Sequence, residues 1–464
     1  MQKIADLVDS LSREGIHLSV ESGQVHYRAQ PGTLTPERMA QLRSHKAQIV
    51  EYLQLTTPGR PAPALRRRET EEHPTIPLTT VQAEFVPYRT LVAPQYAHLA
   101  YVLHFDRPSC LDRLNRSVRF LLDRHTALRS RFTIYGEAGV ACAFSSSREF
   151  ETEEVDIAES DVNGEANEAY RLLAPVVARR FDLERGPLLR LAIASAGAGA
   201  YCVLFIIHRA VVDNWSSGIL ASEFLASYAA EEPEAAGLAP IPLEFSDFVL
   251  HQREWLESAA GWRARAYWSG VLTAEREPLR LPTIRATRPT VPYSPASASG
   301  ELSAAELRAL RSSCGGLGAT VFHAAVAGFL SALLEWGTGR NAIIWIGHHG
   351  RPSAQLGATV GCFADFWPLR VPIEADASFT ERVQQVRSLC AEAQSMLAVP
   401  GGVMEADARQ LRDGDRDARV VFNYMKAVGQ PVAALDARQE RIAGIVGWMP
   451  FHRYLEPESR TALA

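Results

Sequence analysis

The stretch YCVLFIIHRAVVDNWSSGILASEFLASY, residues 201–228, joins a strand signal to a helix signal through a turn rich in polar residues. Residues 201–207 are continuously apolar, which predicts a strand that is buried on both faces. The segment that begins at Trp215 predicts a helix. Between them, the turn HRAVVDN (208–214) holds His208, Arg209 and Asp213. Charged and titratable residues at a strand end indicate a functional site, and the arginine is the residue that needs an explanation.

Length, composition and charge narrow the class of protein. A chain of 464 residues predicts roughly three folding units. Its 47% hydrophobic and 22% charged residues are typical of a folded protein, and a net charge of −5 gives no general case for nucleic acid or anionic membranes. No apolar run is long enough to span a bilayer, and the six cysteines are scattered singly. We therefore expect a cytoplasmic protein that binds neither membrane nor nucleic acid.

The first 56 residues predict a small module with the order α-β-β-α. Ile4, Leu7, Val8 and Leu11 recur at helical spacing, and two short alternating stretches around ESG predict a hairpin. Thr35 followed by Pro36 predicts the start of a second helix. Residues 57–77 then combine five prolines with a block of opposite charges, which is typical of a linker between folding units.

The rest of the chain predicts an α/β body in two lobes. LDRLNRSVRFLLDRH places its leucines on one helical face, ATVFHAAVAGFLSALLEWGTG predicts a long apolar helix, and NAIIWIG predicts a strand. A second proline-rich crossing, residues 277–295, divides this body. The expected boundaries are 78–275 for the first lobe and 276–464 for the second.

The stretch GIHLSVESGQVHYRAQPGTLTPERMAQLRSHKAQIVEYL resembles the TubC-type N-terminal docking domain of assembly-line synthetases. The resemblance implies that the hairpin captures the C-terminal tail of an upstream synthetase subunit by adding a strand. Tyr27, Arg28, Arg43 and Lys46 could form a basic face that favours an acidic tail. Taken one at a time, each of these four side chains could equally be an ordinary solvated residue.

Six stretches of the body resemble, in order, the core motifs of nonribosomal peptide synthetase condensation domains. They are TTVQAEF, RHTALRSRF, FDLERGPLLR, HRAVVDNWS, EFSDFVLHQREW and VGCFADFWPLR. The resemblance implies two chloramphenicol-acetyltransferase-like lobes in a V-shaped arrangement with a tunnel between them. It also implies donor and acceptor carrier proteins as partners, each presenting its substrate on a phosphopantetheine arm, and no cofactor bound by the chain itself.

In that family the central motif reads His-His-x-x-x-Asp-Gly. His208 corresponds to the first, structural histidine and Asp213 to the ion-pairing aspartate. Arg209 occupies the position of the catalytic histidine, and Asn214 that of the glycine, where asparagine tolerates a left-handed backbone better than most residues. The resemblance places Trp215, directly after the motif, at the tunnel.

Arginine cannot act as a general base near neutral pH, because its pKa exceeds about 12. Three alternatives therefore stay open. The domain is a non-catalytic docking, scaffold or gatekeeping module that binds carriers without forming the amide. It is an active condensation domain that relies on proximity, since a thioester is already activated. Or Arg209 holds a carbonyl or carboxylate in a different substrate chemistry.

Further residues complete the expected site. The resemblance implies Arg351, in IGHHGRPSA, as the ion-pair partner of Asp213, and it implies that Arg124 and His125 brace the fold near the tunnel. His348 and His349 could replace the missing base, although histidines in such a turn are more often structural. Ser216 and Ser217 are expected to cap the following helix.

Two kinds of site have no motif in the sequence, and the C-terminus departs from the family. No metal-ligand spacing and no phosphate-binding loop is present, so we expect no metal site and no nucleotide activation. The family's second lobe normally continues beyond the point where this chain stops, at FHRYLEPESRTALA, so the C-terminal end is expected to be truncated.

Overall fold

The structure is a computed structural model, and its contacts divide the chain into two compact bodies. The first body comprises Gly59–Ser258, His349–Asp365 and Met425–Ala464, and the second comprises Met1–Pro58, Ala259–His348 and Phe366–Tyr424. The residues that the structure describes are, with short gaps, 4–50, 64–68, 75–86, 98–134, 140–156, 175–196, 199–273, 279, 300–411, 420–424 and 442–446.

Strands and helices alternate in both bodies, which confirms the α/β class. The strands are β1 (His17–Glu21), β2 (Gln24–Arg28), β3 (Thr75–Pro77), β4 (His98–Ser109), β5 (Ser130–Ile134), β6 (Val140–Phe144), β7 (Glu151–Asp156), β8 (Leu189–Ala196), β9 (Gly199–His208), β10 (Asn341–His348), β11 (Asp365–Pro372), β12 (Val420–Phe422) and β13 (Ile442–Val446). The helices are α1 (Pro36–Ser44), α2 (Thr80–Glu84), α3 (Leu111–Arg124), α4 (Asn214–Ala229), α5 (Phe245–Leu256), α6 (Ala259–Thr273), α7 (Ala304–Gly316), α8 (Val321–Trp336), α9 (Phe379–Ala393) and α10 (Gly401–Leu411).

The N-terminal module contains the predicted hairpin and the predicted second helix. β1 and β2 pair antiparallel, with Val20 opposite Val25. Thr35 caps α1, because its side chain accepts a hydrogen bond from the Arg38 backbone N–H, and Pro36 stands in the first turn. A small apolar cluster holds the module together; its buried members are Ile4, Leu11, Ile16, Leu42 and Ile49.

A five-stranded sheet in the order β13-β4-β9-β8-β7 forms the centre of the first body. β9 is the central strand, and it contains the apolar run predicted from the sequence: the side chains of residues 203–207 are fully buried. Because both neighbours of β9 are antiparallel to it, the end of β9 at His208 lies beside the start of β4 at His98. The turn 208–214 therefore lies at the C-terminal end of the central strand of the sheet.

Helices cover this sheet by burying their apolar faces. α3 buries Leu114, Val118, Leu121 and Leu122, the stripe that the sequence periodicity predicts. α4 buries residues on most of its circumference, including Leu220 and Phe224, and it packs beside α3. A smaller sheet, β3-β6-β5, completes the described part of this body.

The second body has a three-stranded sheet in the order β11-β10-β12, with β10 and β12 parallel. The apolar helix α8 packs against α9, and α6 packs against α10 through an Arg265–Asp407 ion pair with N–O distances of 2.8 and 2.6 Å. The sequence-based boundary places α6 with the first lobe, whereas its contacts here group it with the second body.

Several predictions fall outside the described residues. These are most of the linker 57–77, the crossing 277–295 apart from residue 279, the side chain of Arg28, and the C-terminal stretch 447–464. Among the described helices, no single one combines the length and apolarity needed to cross a bilayer, and one sharply bent pair, α7 with α8, meets the criterion by length and composition alone. The lobe boundaries stay predictions.

Candidate functional site

The turn after β9 is held by two local hydrogen bonds and by one from the distant Gln82. The Val211 N–H donates to the His208 carbonyl at 3.0 Å, and the Ala210 N–H donates to His208 Nδ1 at 3.2 Å. The Gln82 side chain donates to the Ala210 carbonyl at 2.8 Å. His208 and Ala210, the two neighbours of Arg209 in the chain, are also buried. The backbone on both sides of Arg209 is therefore fixed.

Asp213 is the N-cap of α4, and this corrects the expectation that Ser216 or Ser217 caps the helix. Its Oδ1 accepts the Ser216 backbone N–H at 2.7 Å, which satisfies one of the unpaired amides of the first turn. A carboxylate three residues before the amide has this geometry without strain, whereas the serines already lie inside the helix. Asn214 is the first residue of α4, so the helical backbone there requires no left-handed conformation.

Asp213 and Arg351 form an ion pair in which both side chains are almost completely buried, with exposed fractions of 4% and 2%. The guanidinium donates to the two carboxylate oxygens at 2.9 and 3.3 Å. Asp213 Oδ2 also accepts the backbone N–H groups of Phe363 and Ala364, each at 3.1 Å. A buried carboxylate is stable only when it is paired and hydrogen-bonded. This one binds four donor groups, namely the guanidinium and three backbone amides.

Arg351 uses the rest of its donors on the surrounding loop. Its further acceptors are the carbonyl oxygens of His349, Leu356 and Thr359 and the Ser216 Oγ, at 2.8 to 3.3 Å. The guanidinium also lies 4.1 Å from the centroid of the Phe363 ring. A planar fork with five N–H groups can satisfy this set of acceptors, and a lysine ammonium cannot.

Two glycines allow close packing within the loop 349–365 and between this loop and α5. Gly350 has a φ of +65°, and a Cβ there would lie 1.8 Å from the Phe363 carbonyl oxygen. A Cβ on Gly361 would lie 2.2 Å from Cδ2 of Phe245. The Ser216 Oγ joins the first turn of α4 to this loop by donating to the Gly361 carbonyl at 2.9 Å. The sequence did not indicate Gly361, the two amides that bind Asp213, or the contacts of the Ser216 hydroxyl with Gly361 and Arg351.

Arg209 is half-buried beside this network. Its charge lies close enough to His208 to contribute, after burial and His98, to the lowered pKa of that histidine. Burial raises the pKa of the Cys362 thiol, and the Arg209 charge opposes that rise. Position 209, which the resemblance assigns to a catalytic histidine, therefore carries a permanent cation beside an uncharged histidine.

Trp215 and His349 lie together at the exposed side of the turn. Their ring centroids are 5.5 Å apart, and the Trp215 indole N–H donates to the Gly357 carbonyl at 3.0 Å. His349 Nδ1 accepts the Arg351 backbone N–H at 3.1 Å, so the neutral ring carries its proton on Nε2. Burial, and then the Arg351 charge, lower the pKa of His349. Because Nδ1 already accepts a hydrogen bond and the pKa is lowered, His349 is better suited to donate a hydrogen bond from Nε2 than to take up a proton as a replacement base.

Arg124 and His125 share one acidic partner, Glu223 of α4. Arg124 donates to it at 2.8 and 3.2 Å, and His125 Nε2 lies 2.8 Å from its Oε2. Burial opposes the ionisation of Glu223, but the His125 hydrogen bond and the Arg124 charge outweigh it and lower its pKa. These contacts tie the end of α3 to α4 and so have a structural effect on the helix that begins at Asp213.

His98 and His208 form a buried pair where β4 meets the end of β9. Their ring centroids are 6.0 Å apart, and His98 Nδ1 donates to the Val177 carbonyl at 2.7 Å. Burial lowers the pKa of His98 to about 4 and that of His208 to about 3. Both rings are therefore neutral at pH 7, and charging either of them inside the body is unfavourable.

This pair predicts a loss of stability in mild acid. Because both folded-state pKa values are lowered, the unfolded chain binds more protons below about pH 6.5, so stability is full above that pH and falls toward pH 4. Urea unfolding at pH 7 and pH 5.5, where most carboxylates stay ionised, should show a decrease of roughly 2 kcal/mol. A His98→Phe variant should lose about half of this pH dependence, and equal stability of the native chain at both pH values would contradict the assignment.

No group of three or more histidine, cysteine, aspartate or glutamate side chains that could hold a metal ion occurs within the described ranges. Of the residues expected on the docking module, Tyr27 is half exposed on β2, Arg43 is exposed in the last turn of α1, and Lys46 is exposed two residues after α1.

Comparison with known proteins identifies both parts of the chain. Residues 73–444 match the model of the condensation domain, and residues 4–54 match that of the TubC N-terminal docking domain. The phosphinothricin tripeptide synthetase PhsC of Streptomyces viridochromogenes is 29% identical over 384 residues, which cover 82% of this chain. The chain spans 35% of the length of that synthetase and a smaller share of other curated relatives.

Solved structures show the same fold. The X-domain from teicoplanin biosynthesis superposes with a TM-score of 0.63 at 23% identity, covering 75% of this chain and 76% of that one. The EpoB cyclization-docking bidomain from Sorangium cellulosum gives a TM-score of 0.61 at 22% identity and covers 88% of this chain and 81% of that one. The match over residues 73–444 takes in the turn at 208–214 and the loop that carries Arg351. The chain therefore belongs to the condensation-domain family and carries a TubC N-terminal docking domain in front of the condensation domain.

Proposed function

We propose that this chain joins a carrier-bound acyl or peptidyl thioester to a carrier-bound amine within a modular peptide synthetase or a hybrid polyketide–peptide synthetase. The observation that supports the proposal best is the fully satisfied Asp213–Arg351 network, which fixes the turn that holds position 209. This network supports the proposal because it holds the backbone next to position 209 in one arrangement, which a positioned catalytic group requires. The substrates arrive on phosphopantetheine arms of carrier proteins, and the reaction takes place in the cytoplasm.

The proposed chemistry relies on positioning rather than on a base at position 209. A thioester is activated toward an amine, so holding the two reactants together supplies much of the rate. The Arg209 guanidinium can donate charge-assisted hydrogen bonds to the thioester carbonyl as negative charge develops on its oxygen. The amine loses its proton to solvent, and the donor carrier leaves as a thiol.

The test is amide formation between a loaded donor carrier and a loaded acceptor carrier, followed by intact-protein mass spectrometry. Transfer of the donor's acyl mass to the acceptor carrier, faster than in the absence of the chain, supports the proposal. Binding of both carriers without any transfer supports the second candidate instead.

The second candidate is a non-catalytic module that holds or gates carriers or recruits another protein. The observation that favours it is Arg209 itself, because a permanent cation replaces the family's proton acceptor. The X-domain that shares this fold has been solved in complex with OxyB, so a domain of this fold can bind a partner protein.

We also propose that the docking module binds the acidic C-terminal tail of an upstream subunit through its hairpin. Tyr27 is 50% exposed on β2, Arg43 is exposed in the last turn of α1, and Lys46 is exposed just after that helix. An extended peptide that pairs with a hairpin edge gains backbone hydrogen bonds, and nearby basic side chains then favour acidic sequences.

Reversing both charges, in Arg43→Glu/Lys46→Glu, should weaken binding of the acidic tail about fivefold to tenfold in 0.1 M salt, and the difference should shrink at 0.5 M. Isothermal titration with a synthetic tail measures it. The exposed Gln48→Glu variant is the control for added negative charge on the same segment, and it should bind within twofold of the native chain. Equal weakening in both variants would remove Arg43 and Lys46 from the binding surface.

A further inference from the structure

A basic segment of the linker packs against a helix and the apolar core of the first body, to which it belongs. The segment is Leu65–Arg66–Arg67–Arg68, here called the arginine strap, and it lies within residues 57–77, whose composition predicts a plain spacer. Leu65 packs against the apolar core of the first body. The partner of the arginines is a single helix, α5, about 180 residues further along the chain.

Arg68 makes the best-defined contacts of the strap. Its backbone N–H donates to Asp247 Oδ1 at 2.8 Å. Its guanidinium forms a bidentate pair with Glu254, with N–O distances of 2.8 and 2.7 Å. The Arg68 side chain is only 14% exposed, so this arginine is held along the helix rather than in solvent. Two parallel N–H···O bonds fix its direction as well as its position.

The beginning of α5 explains why this surface attracts arginines. Glu244 and Asp247 form the capping box of the helix, and their side chains are 9% and 2% exposed. Two carboxylates that are close together and poorly solvated repel each other and need a compensating cation. Arg67 supplies one, with its guanidinium nitrogens 3.6 Å from Glu244 and 3.7 Å from Asp247.

We propose that α5 is an internal anchoring site for the arginine strap, which ties the linker to the condensation domain and shortens the free tether of the docking module. The tether is the stretch of chain between Val50 of the module and the next anchored residue. When the strap is bound, the tether comprises residues 51–63; when the strap is released, it runs to Thr75. At about 3.5 Å per residue, the maximal reach falls from roughly 90 Å to roughly 50 Å. A shorter tether raises the effective concentration of a docked upstream subunit near its condensation domain.

The strap contains three consecutive trypsin sites, so its release can be measured directly in the full chain. In the native protein, cleavage after Arg66, Arg67 and Arg68 should be slow, since the protease needs the segment to leave α5 first. Glu254→Lys removes the bidentate partner and adds a repelling charge, so cleavage there should accelerate about tenfold. Mass spectrometry of the fragments gives the rate.

Glu257→Lys is the matched control, because it makes the same charge change at the C-cap of the same helix. Glu257 is 74% exposed and pairs only with Arg253, at 4.0 Å, among the contacts of the described residues. This variant should be cleaved at the native rate. If the Glu254→Lys chain proves unfolded by circular dichroism, Glu254→Gln takes its place, with an expected acceleration of about threefold.

Hydrogen exchange at the Arg68 amide provides a second, independent readout. The amide should be protected in the native chain and in Glu257→Lys, and it should exchange faster in the Glu254 variants and in 0.5 M salt. Equal trypsin rates and equal amide exchange in the native chain and both Glu254 variants would overturn the proposal. The test does not depend on amide formation, so a failure of the proposed catalytic function leaves it intact.

Discussion

Replacing Arg209 with histidine should raise the rate of amide formation by about 10²-fold, and by up to about 10⁴-fold if proton transfer limits the native reaction. The turn that holds position 209 is complete without any contribution from the base: Asp213 caps α4, and Arg351 satisfies Asp213. A histidine placed there would have an unperturbed pKa near 6.5 and could accept the proton of the attacking amine. The measurement is the initial rate of acyl transfer between loaded carriers, by intact-protein mass spectrometry.

Arg209→Ala separates the two functional candidates. If the guanidinium stabilises the developing oxyanion, removing it should lower the native rate at least tenfold. If the native chain and Arg209→Ala are both inactive while Arg209→His is active, the domain can bind and position both substrates and the native chain is a non-catalytic module. Inactivity of all three with carriers that bind would contradict the proposed reaction for those substrates.

Arg185→His is the matched control for this series. Arg185 is an exposed arginine in the first body, so the same substitution tests whether any added histidine catalyses aminolysis nonspecifically. Its rate should equal that of the native chain. Thermal unfolding of each variant should stay within a few degrees of the native value, since position 209 is half-buried and its backbone is fixed by neighbours.

The sequence predicts the secondary-structure elements that depend only on residues close together in the chain. The apolar run of β9, the leucine stripe of α3 and the Thr35–Pro36 helix start are local patterns, and each forms the element that the pattern indicates. The pairing of Asp213 with Arg351 came from the resemblance to a family, because 138 residues separate the two partners and no periodicity connects them.

The rest of the site could not be predicted for the same physical reason. The sequence predicts Ser216 and Ser217 as caps of α4, but the tertiary contact with Gly361 uses the Ser216 hydroxyl and Asp213 caps the helix. The two amides that bind Asp213 belong to residues whose side chains carry no polar signal. The composition of the linker that contains the arginine strap predicts a spacer, because the prolines and charges of residues 57–77 carry no information about the acidic helix start that binds the strap.

Removing the guanidinium of Arg351 should destabilise the first body by about 3–5 kcal/mol, since Arg351→Ala leaves the Asp213 charge buried without its cation. Urea unfolding followed by circular dichroism measures the change. Arg351→Lys should recover only part of it, because an ammonium keeps the charge but cannot reach both carboxylate oxygens and the surrounding loop carbonyls. Arg253→Ala, which removes an arginine that is 67% exposed on the same body, should change the free energy of unfolding by less than about 0.5 kcal/mol.

A double-mutant cycle then distinguishes the pair from the loop. If the loss in Arg351→Ala comes from the uncompensated Asp213 carboxylate, the Asp213→Asn/Arg351→Ala double variant should be more stable than the sum of the two single losses predicts. Strict additivity would assign the loss to the loop carbonyls and the Phe363 contact instead. Either way, amide formation should fall with stability in Arg351→Ala, because the loop that carries Arg351 also supplies the two amides that hold Asp213 at the start of α4.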